Sequence, residues 1–322
     1  MLKILVIRFS SIGDIVLTTP VVRCLKEQLN AEVHFCTKKN YYSLIRHNPY
    51  ISKCLLLEDN LSSLIEQLKA ENYDYIIDLH NNLRTRIVKL SLRKKTYAYN
   101  KLNFRKWLYV NFKLNVMPNI HIVDRYMETV KALNVHNDGK GLDYFIPEAD
   151  KVTPEQLPET YRNGYVAYAI GGQHATKRLP PDKIIELCEL INQPIILVGG
   201  PEDTETGQYM ENYFISRNKK FSIYNACGKY NLNQSASIIS YALKVYTHDT
   251  GMMHIASAFK KDIVSIWGNT TPAFGMYPYK TKFKILENNN LNCRPCSKIG
   301  YSECPKKHFK CMRELDFGEA IK

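Results

Sequence analysis

Four short segments of this 322-residue chain place carboxylates, cations, hydroxyls and glycines where a small anionic substrate could be held and activated. In SSIGD, residues 10–14, Ser10, Ser11 and Gly13 precede a helical pattern. Hydroxyls and a glycine at a helix start suit a nucleotide donor or another anionic or hydroxylated ligand. Asp14 reads either as an ordinary helix-start acid or as a general base facing the ligand. In GGQHATKRLPPD, residues 171–182, Gly171 and Gly172 let backbone approach a ligand closely, while Lys177 and Arg178 bring positive charge just ahead of a proline-started helix. A plain charged surface is the competing reading there. In GGPED, residues 199–203, Glu202 is the candidate for a ribose diol, against ordinary turn chemistry.

The fourth segment, HDTGMMHIASAF at residues 248–259, ends a strand and opens a helix. Asp249 either holds a sugar hydroxyl or caps the helix. Thr250 and Gly251 lead into free N–H groups that can take a diphosphate. His254 lies on the helix itself, where a buried structural histidine is the ordinary case. The next strand-end loop, residues 268–272, is expected on the same side.

A separate cluster stands near the C-terminus, Cys293-x2-Cys296-x7-Cys304-x6-Cys311. Four thiolates so spaced can close a structural zinc site. Reduced or disulfide-linked cysteines are the preferred alternative, and no metal is expected in catalysis. The other five cysteines sit singly in apolar stretches, as inert buried thiols do.

The elements that must position these loops alternate strand and helix. Strand-forming runs cover residues 3–9, 32–37, 53–57, 73–79 and 96–99, with helical patterns at 15–29, 61–70, 83–92 and 121–133. Pro20 should restart the first helix. After a Pro-, Gly- and acid-rich stretch at 137–163 the alternation resumes. Strands are expected at 165–170, 194–198, 221–224, 244–247 and 262–267, and helices at 181–191, 203–215, 232–241 and 252–259. The chain therefore reads as α/β, with two Rossmann-like doubly wound domains, residues 1–150 and 151–322, facing across a cleft. Ligands of such sheets bind beyond the carboxyl ends of the strands, where all four segments fall.

Bulk properties fit a soluble protein. Apolar residues make up 45% and charged ones 23%, and no apolar run reaches the roughly 18–20 residues of a membrane span. A cytoplasmic location is expected. Lys and Arg exceed Asp and Glu by 13, which favours an anionic partner, and the cations are denser between residues 84 and 113.

Three motifs in order, RFSSIGDIVLTTP at residues 8–20, a Lys-x-x-Pro loop at 177–180 and HDTGMMHIASA at 248–258, resemble the ADP-heptose:lipopolysaccharide heptosyltransferases of glycosyltransferase family 9. The resemblance spans nearly the whole chain. It implies a GT-B fold and inverting, metal-independent transfer of a heptose or related sugar from an ADP-sugar to a lipopolysaccharide inner-core acceptor. By position it makes Asp14 the catalytic base and Lys177 the donor-phosphate lysine. Glu202 becomes the ribose acid, and Asp249, Thr250 and Gly251 the sugar and diphosphate segment. It also implies an acceptor bearing Kdo and lipid A phosphates, for which Arg84 and Arg86 are candidate contacts, and peripheral contact with the cytoplasmic face of the inner membrane. Leu179 stands where the family often has an aromatic residue. The rival readings are a basic nucleic-acid-binding protein without catalytic activity, for which no recognition motif is visible, and an NAD-dependent oxidoreductase, which lacks its GxGxxG.

Overall fold

The computed structural model describes residues 1–217 and 222–321 and divides into two compact units. The first comprises Met1–Lys101 and Ile120–Phe145. Its strands are β1 (Lys3–Ile7), β2 (Glu32–Lys38), β3 (Lys53–Leu57), β4 (Tyr75–Asp78) and β5 (Lys95–Ala98). They are all parallel, in the order β3-β2-β1-β4-β5. The connections are α1 (Ile12–Val16), α2 (Thr19–Leu29), α3 (Leu61–Ala70) and α4 (Leu83–Leu92). Pro20 falls in the first turn of α2, so the expected helical run is broken into two.

The residue types explain why both faces of this sheet are covered. Leu5, Ile7, Cys36, Leu55 and Ile76 pack with Leu64 and Leu68 of α3 and Val88 of α4. Ile4 and Val6, one residue out of phase, are equally buried on the opposite face.

After β5 the chain makes α5 (Asn103–Phe112), which belongs to the second unit, and then returns as α6 (Ile122–Met127). The return is locked by Arg23 of α2. Its buried guanidinium pairs with Asp138 at 2.7 Å and with Asp143, and donates to the Gly141 carbonyl at 2.8 Å. The units change over at residues 145/146, and Leu102–Asn119 groups with the second unit.

The second unit comprises Leu102–Asn119 and Ile146–Lys322. It contains α7 (Glu159–Arg162), β6 (Val166–Ala169), α8 (Pro181–Ile191), β7 (Ile195–Val198), α9 (Thr204–Ser216) and β8 (Ile223–Asn225). These are followed by α10 (Leu232–Tyr241), β9 (Lys244–His248), α11 (Gly251–Ala258), β10 (Ile263–Trp267), β11 (Phe283–Glu287), α12 (Lys310–Arg313) and α13 (Gly318–Ile321). Phe221, the expected start of β8, lies outside the described residues. The sheet is parallel, in the order β11-β10-β9-β6-β7-β8. Alternate residues of β7 divide between two cores: Ile195 and Leu197 join Ile184, Leu187 and Met210, while Ile196 and Val198 join Ile238, Met253 and Ala256.

Both units are thus doubly wound, as the strand-helix alternation predicts. Each order reverses beside its first strand, between β1 and β4 in one unit and between β6 and β9 in the other. A crevice opens beyond the carboxyl ends of the strands at such a reversal.

Candidate active site

In the first unit the loops leaving β1 and β4 meet at that reversal. Arg8, just past β1, is buried, and its guanidinium does four things at once. It pairs with Asp14 Oδ1 at 2.7 Å and donates to the Ser10 carbonyl at 2.7 Å. It also donates to the Leu79 carbonyl and, at 3.0 Å, to the Tyr126 hydroxyl. Burial alone would lower the Arg8 pKa, but Asp14 and the phenols of Tyr126 and Tyr99 outweigh it and hold it above its ordinary value. The other Asp14 oxygen accepts from the Ser11 hydroxyl at 2.9 Å and the Ser11 N–H at 3.3 Å. Asp14 therefore sits in the first turn of α1 with both oxygens oriented, one by Arg8 and the other by Ser11.

His80 follows β4 in the same crevice, its ring edge-on to Phe9 at 5.4 Å. Burial first, then the charges of Arg8 and Lys101, push its pKa down to about 4, so it is neutral near pH 7. Its buried Nδ1 has no hydrogen-bond partner among the described residues.

The reversal of the second sheet carries the cation. Lys177 Nζ lies 2.7 Å from Asp249 Oδ2 and donates to the Asp249 carbonyl at 3.2 Å, joining the loop after β6 to the loop after β9. Thr270, after β10, donates its hydroxyl to the same Asp249 oxygen at 2.8 Å. Thr250 then starts α11 in extended backbone, and its own side chain makes no capping hydrogen bond to that helix. Beside it a Cβ on Gly172 would come within 3.2 Å of the Thr250 methyl. A Cβ on Gly171 would stand 2.3 Å from Asp203 Oδ2. Both glycines are therefore fixed by close approach.

The Cys-rich segment braces this arrangement from behind. Buried Arg294 donates to the carbonyls of Gly268, Thr270 and Asn288 and pairs with Glu287 at 2.8 Å. Tyr301 and Thr176 exchange hydrogen bonds of 2.8 and 3.2 Å, which fixes the turn that presents Lys177. One segment thereby positions both Lys177 and the Thr270 loop.

Glycosyltransferase family 9 (heptosyltransferase) matches residues 61–307 by its family model. The chain belongs to this family. It is 24% identical over 312 residues to lipopolysaccharide heptosyltransferase 1 of Campylobacter coli, covering 90% of this chain and 89% of that one. Among solved structures it is similar to a glycosyl transferase family 9 protein of Veillonella parvula, with a TM-score of 0.71, 21% identity, and coverage of 89% of this chain and 86% of that one. It also matches the E. coli ADP-heptose lps heptosyltransferase II with a TM-score of 0.69, 20% identity, and coverage of 97% and 98%. The fold is of GT-B type, and the activity is that of a glycosyltransferase.

In this family 9 chain the expected site residues form two groups. Ser10, Ser11, Gly13 and Asp14 lie together in the first unit, and Gly171, Gly172, Lys177, Asp249, Thr250 and Gly251 in the second. Glu202 is exposed, with its carboxylate over Gly200. The neighbouring Asp203 is the buried acid, accepting from the Gly200 N–H at 3.0 Å and facing Arg178 at 3.4 Å. His254 is buried on α11. Arg84 and Arg86 are exposed in the first turns of α4.

Among the described residues no three His, Cys, Asp or Glu side chains assemble as metal ligands, and Cys293, Cys296, Cys304 and Cys311 are free thiols, not disulfides. The Cys296 thiol donates to the Cys293 carbonyl at 3.0 Å. Burial foremost, with the neighbouring cysteine thiols, pushes Cys296 up to about 11 and Cys311 up to about 12.

Arg8, His80, Asp203 and Asn269 carry no signal in the sequence that marks them as site residues. Asn269 is 2% exposed with both ends of its amide unpartnered among the described residues, although its loop had been noted. A buried amide without partners is costly unless a ligand satisfies it.

Proposed function

We propose that this glycosyltransferase moves a heptose from an ADP-sugar to a lipopolysaccharide inner-core acceptor, with inversion and without a metal ion. The observation that carries the reading is the Lys177–Asp249 contact at the strand reversal, beside the start of α11, where the Thr250 side chain makes no capping hydrogen bond. A helix N-terminus and a lysine together offer a diphosphate fixed positive charge, which is the role a metal would otherwise fill. Its relatives, a lipopolysaccharide heptosyltransferase and an ADP-heptose lps heptosyltransferase, supply the sugar and the acceptor class.

In this reading the acceptor oxygen attacks the anomeric carbon as the bond from that carbon to the β-phosphate oxygen breaks. Asp14 takes the acceptor's proton, and ADP leaves with the electron pair. Arg8 holds Asp14 in place, and the Ser11 hydroxyl yields or shares its place on the Asp14 carboxylate with the incoming hydroxyl. Lys177 and the α11 amides meet the charge that grows on the leaving diphosphate, which is where fixed dipoles lower the barrier most. Asp249, oriented by Thr270, and the Asn269 amide hold donor hydroxyls. Glu202 takes the ribose diol, with Gly171 and Gly172 leaving room for the nucleotide. Arg84 and Arg86 meet acceptor phosphates or Kdo carboxylates, at the cytoplasmic face of the inner membrane.

Thermal unfolding with ADP-, GDP- and UDP-sugars tests the donor assignment. A rise in Tm with ADP-sugars, retained in EDTA, is expected. Stabilisation by UDP-sugars alone would overturn the ADP assignment.

A further inference from the structure

Residues 79–123 contain ten Lys and Arg and no Asp or Glu. One 45-residue stretch therefore carries a formal charge of +10, against +13 for the whole chain. Within that stretch α5 differs from every other long helix, because none of its ten residues is buried. Several of its side chains nonetheless make specific contacts. Tyr109 meets the Phe274 ring edge-on at 6.0 Å, and Lys106 lies over the same ring at 5.7 Å. Just past the helix, Lys113 Nζ donates to the Pro295 carbonyl at 2.8 Å. One side of α5 is thus anchored to the loop after β10 and to the Cys-rich segment.

The other side faces outward and is aromatic. Phe104 and Trp107 are stacked with centroids 6.1 Å apart, and Trp107 meets Phe112 edge-on at 5.3 Å. Their exposures are 70%, 46% and 59%, and the chain beyond continues with exposed Leu114, Val116 and Ile120. Arg105 and Lys113 flank the patch, and both are exposed. Isolated apolar side chains on a surface need no explanation, but a contiguous rigid aromatic patch rimmed by cations does.

We infer that the outward face of α5 and the segment to Ile120 form a docking surface for an anionic phospholipid bilayer. Aromatic rings at the headgroup level with cations beside them are the chemistry of interfacial helices. A second copy of the chain would bring the same cations against themselves. Nucleic acid would use the cations and the rings but not the aliphatic run at residues 114–120. The inference goes beyond the proposed transfer reaction, since binding to lipid needs neither donor nor acceptor.

Trp107 is its own probe, because the chain has two tryptophans and the other, Trp267, is 1% exposed. Titrating the full chain with phosphatidylglycerol-containing vesicles should shift the emission to the blue and carry the protein upward in flotation, with both effects weakened by salt. Phosphatidylcholine vesicles should do neither. A double variant, Phe104→Ser with Phe112→Ser, keeps the probe and should lower vesicle affinity about tenfold while Tm and ADP binding stay unchanged. No shift with anionic vesicles, an equal shift with neutral ones, or self-association abolished by the double variant would each overturn the inference. So would a shift produced by oligonucleotide and not by vesicles. Failure of sugar transfer leaves these readouts untouched, so the two proposals stand or fall separately.

Discussion

Lys177 Nζ lies 2.7 Å from Asp249 Oδ2, so the cation after β6 and the carboxylate after β9 share one contact across the reversal of the second sheet. A carboxylate so close keeps the lysine in place before any phosphate arrives, and a diphosphate bound at α11 would then meet a charge already oriented. Removing that charge should slow transfer more than it weakens binding. Lys177→Ala is expected to lower kcat by about two to three orders of magnitude, in the range found when one transition-state donor is lost. Lys177→Arg, which keeps the charge but spreads it over a planar guanidinium, should recover part of the rate. Steady-state ADP release measures both, and an unchanged kcat in the alanine variant would contradict the role.

Gly171 is a steric requirement. A methyl group there would collide with Asp203 Oδ2 at 2.3 Å, and Asp203 is held by the Gly200 N–H and faces Arg178. Gly171→Ala should cost about 1–3 kcal/mol, the usual range for overpacking, and weaken ADP binding in parallel. Urea unfolding and nucleotide titration would show it. A variant as stable and as tight-binding as the parent would mean the loop yields freely.

Arg294 acts at a distance from the chemistry. It ties Gly268, Thr270 and Glu287 together, so Thr270 can orient Asp249. Arg294→Gln leaves the Glu287 carboxylate without its cation and should destabilise the second unit by about 3–5 kcal/mol, as breaking a buried pair does. Arg294→Lys should restore stability in part while kcat stays low, because an ammonium cannot reach three carbonyls at once. Equal recovery of both would reduce Arg294 to a merely structural role.

His248 links stability to pH. Its ring is fully buried, its Nε2 accepts from the Leu179 N–H at 3.0 Å, and burial foremost pushes its pKa from 6.5 down to about 4. Because the folded pKa is the lower one, the unfolded chain binds the proton first as pH falls. The neutral ring's contribution is complete above about 6.5 and is lost on the way down to about 4. Between pH 7 and pH 5 this amounts to about 2 kcal/mol by proton linkage. His248→Gln keeps an acceptor for Leu179 and should flatten that slope. Denaturant melts at the two pH values check it, and an identical slope in the variant would rule His248 out as the source.

The fold was legible because both sheets are parallel and buried on both faces, so their strands stand out as short β-branched runs such as KILVI and IILV. The strand-end loops were legible for the same reason, since their glycines, acids and hydroxyls interrupt those runs. Other features turn on the direction of one side chain. Glu202 and Asp203 are adjacent acids, and only the single helical turn after β7 decides that Asp203 points inward. Arg8 reads as the polar end of a strand, and its burial depends on Leu79 and Tyr126, far away in sequence. Nothing in the spacing of the α5 apolar residues marks them as facing outward, where the fold places them. The cysteine spacing matched a metal pattern, but Arg294 between two of the cysteines is what the segment contributes to the site.

The most direct test of the account is transfer from ADP-heptose to a Kdo-bearing lipid A acceptor by the parent chain and by Asp14→Asn, with EDTA present and ADP binding measured alongside. The account predicts ADP release coupled to heptosylated product with inverted anomeric configuration in the parent. In the variant it predicts a loss of about two to four orders of magnitude in rate, the span of general-base catalysis, with ADP affinity unchanged. Full turnover by Asp14→Asn, or a parent that transfers no heptose while binding ADP-heptose and acceptor, would contradict it.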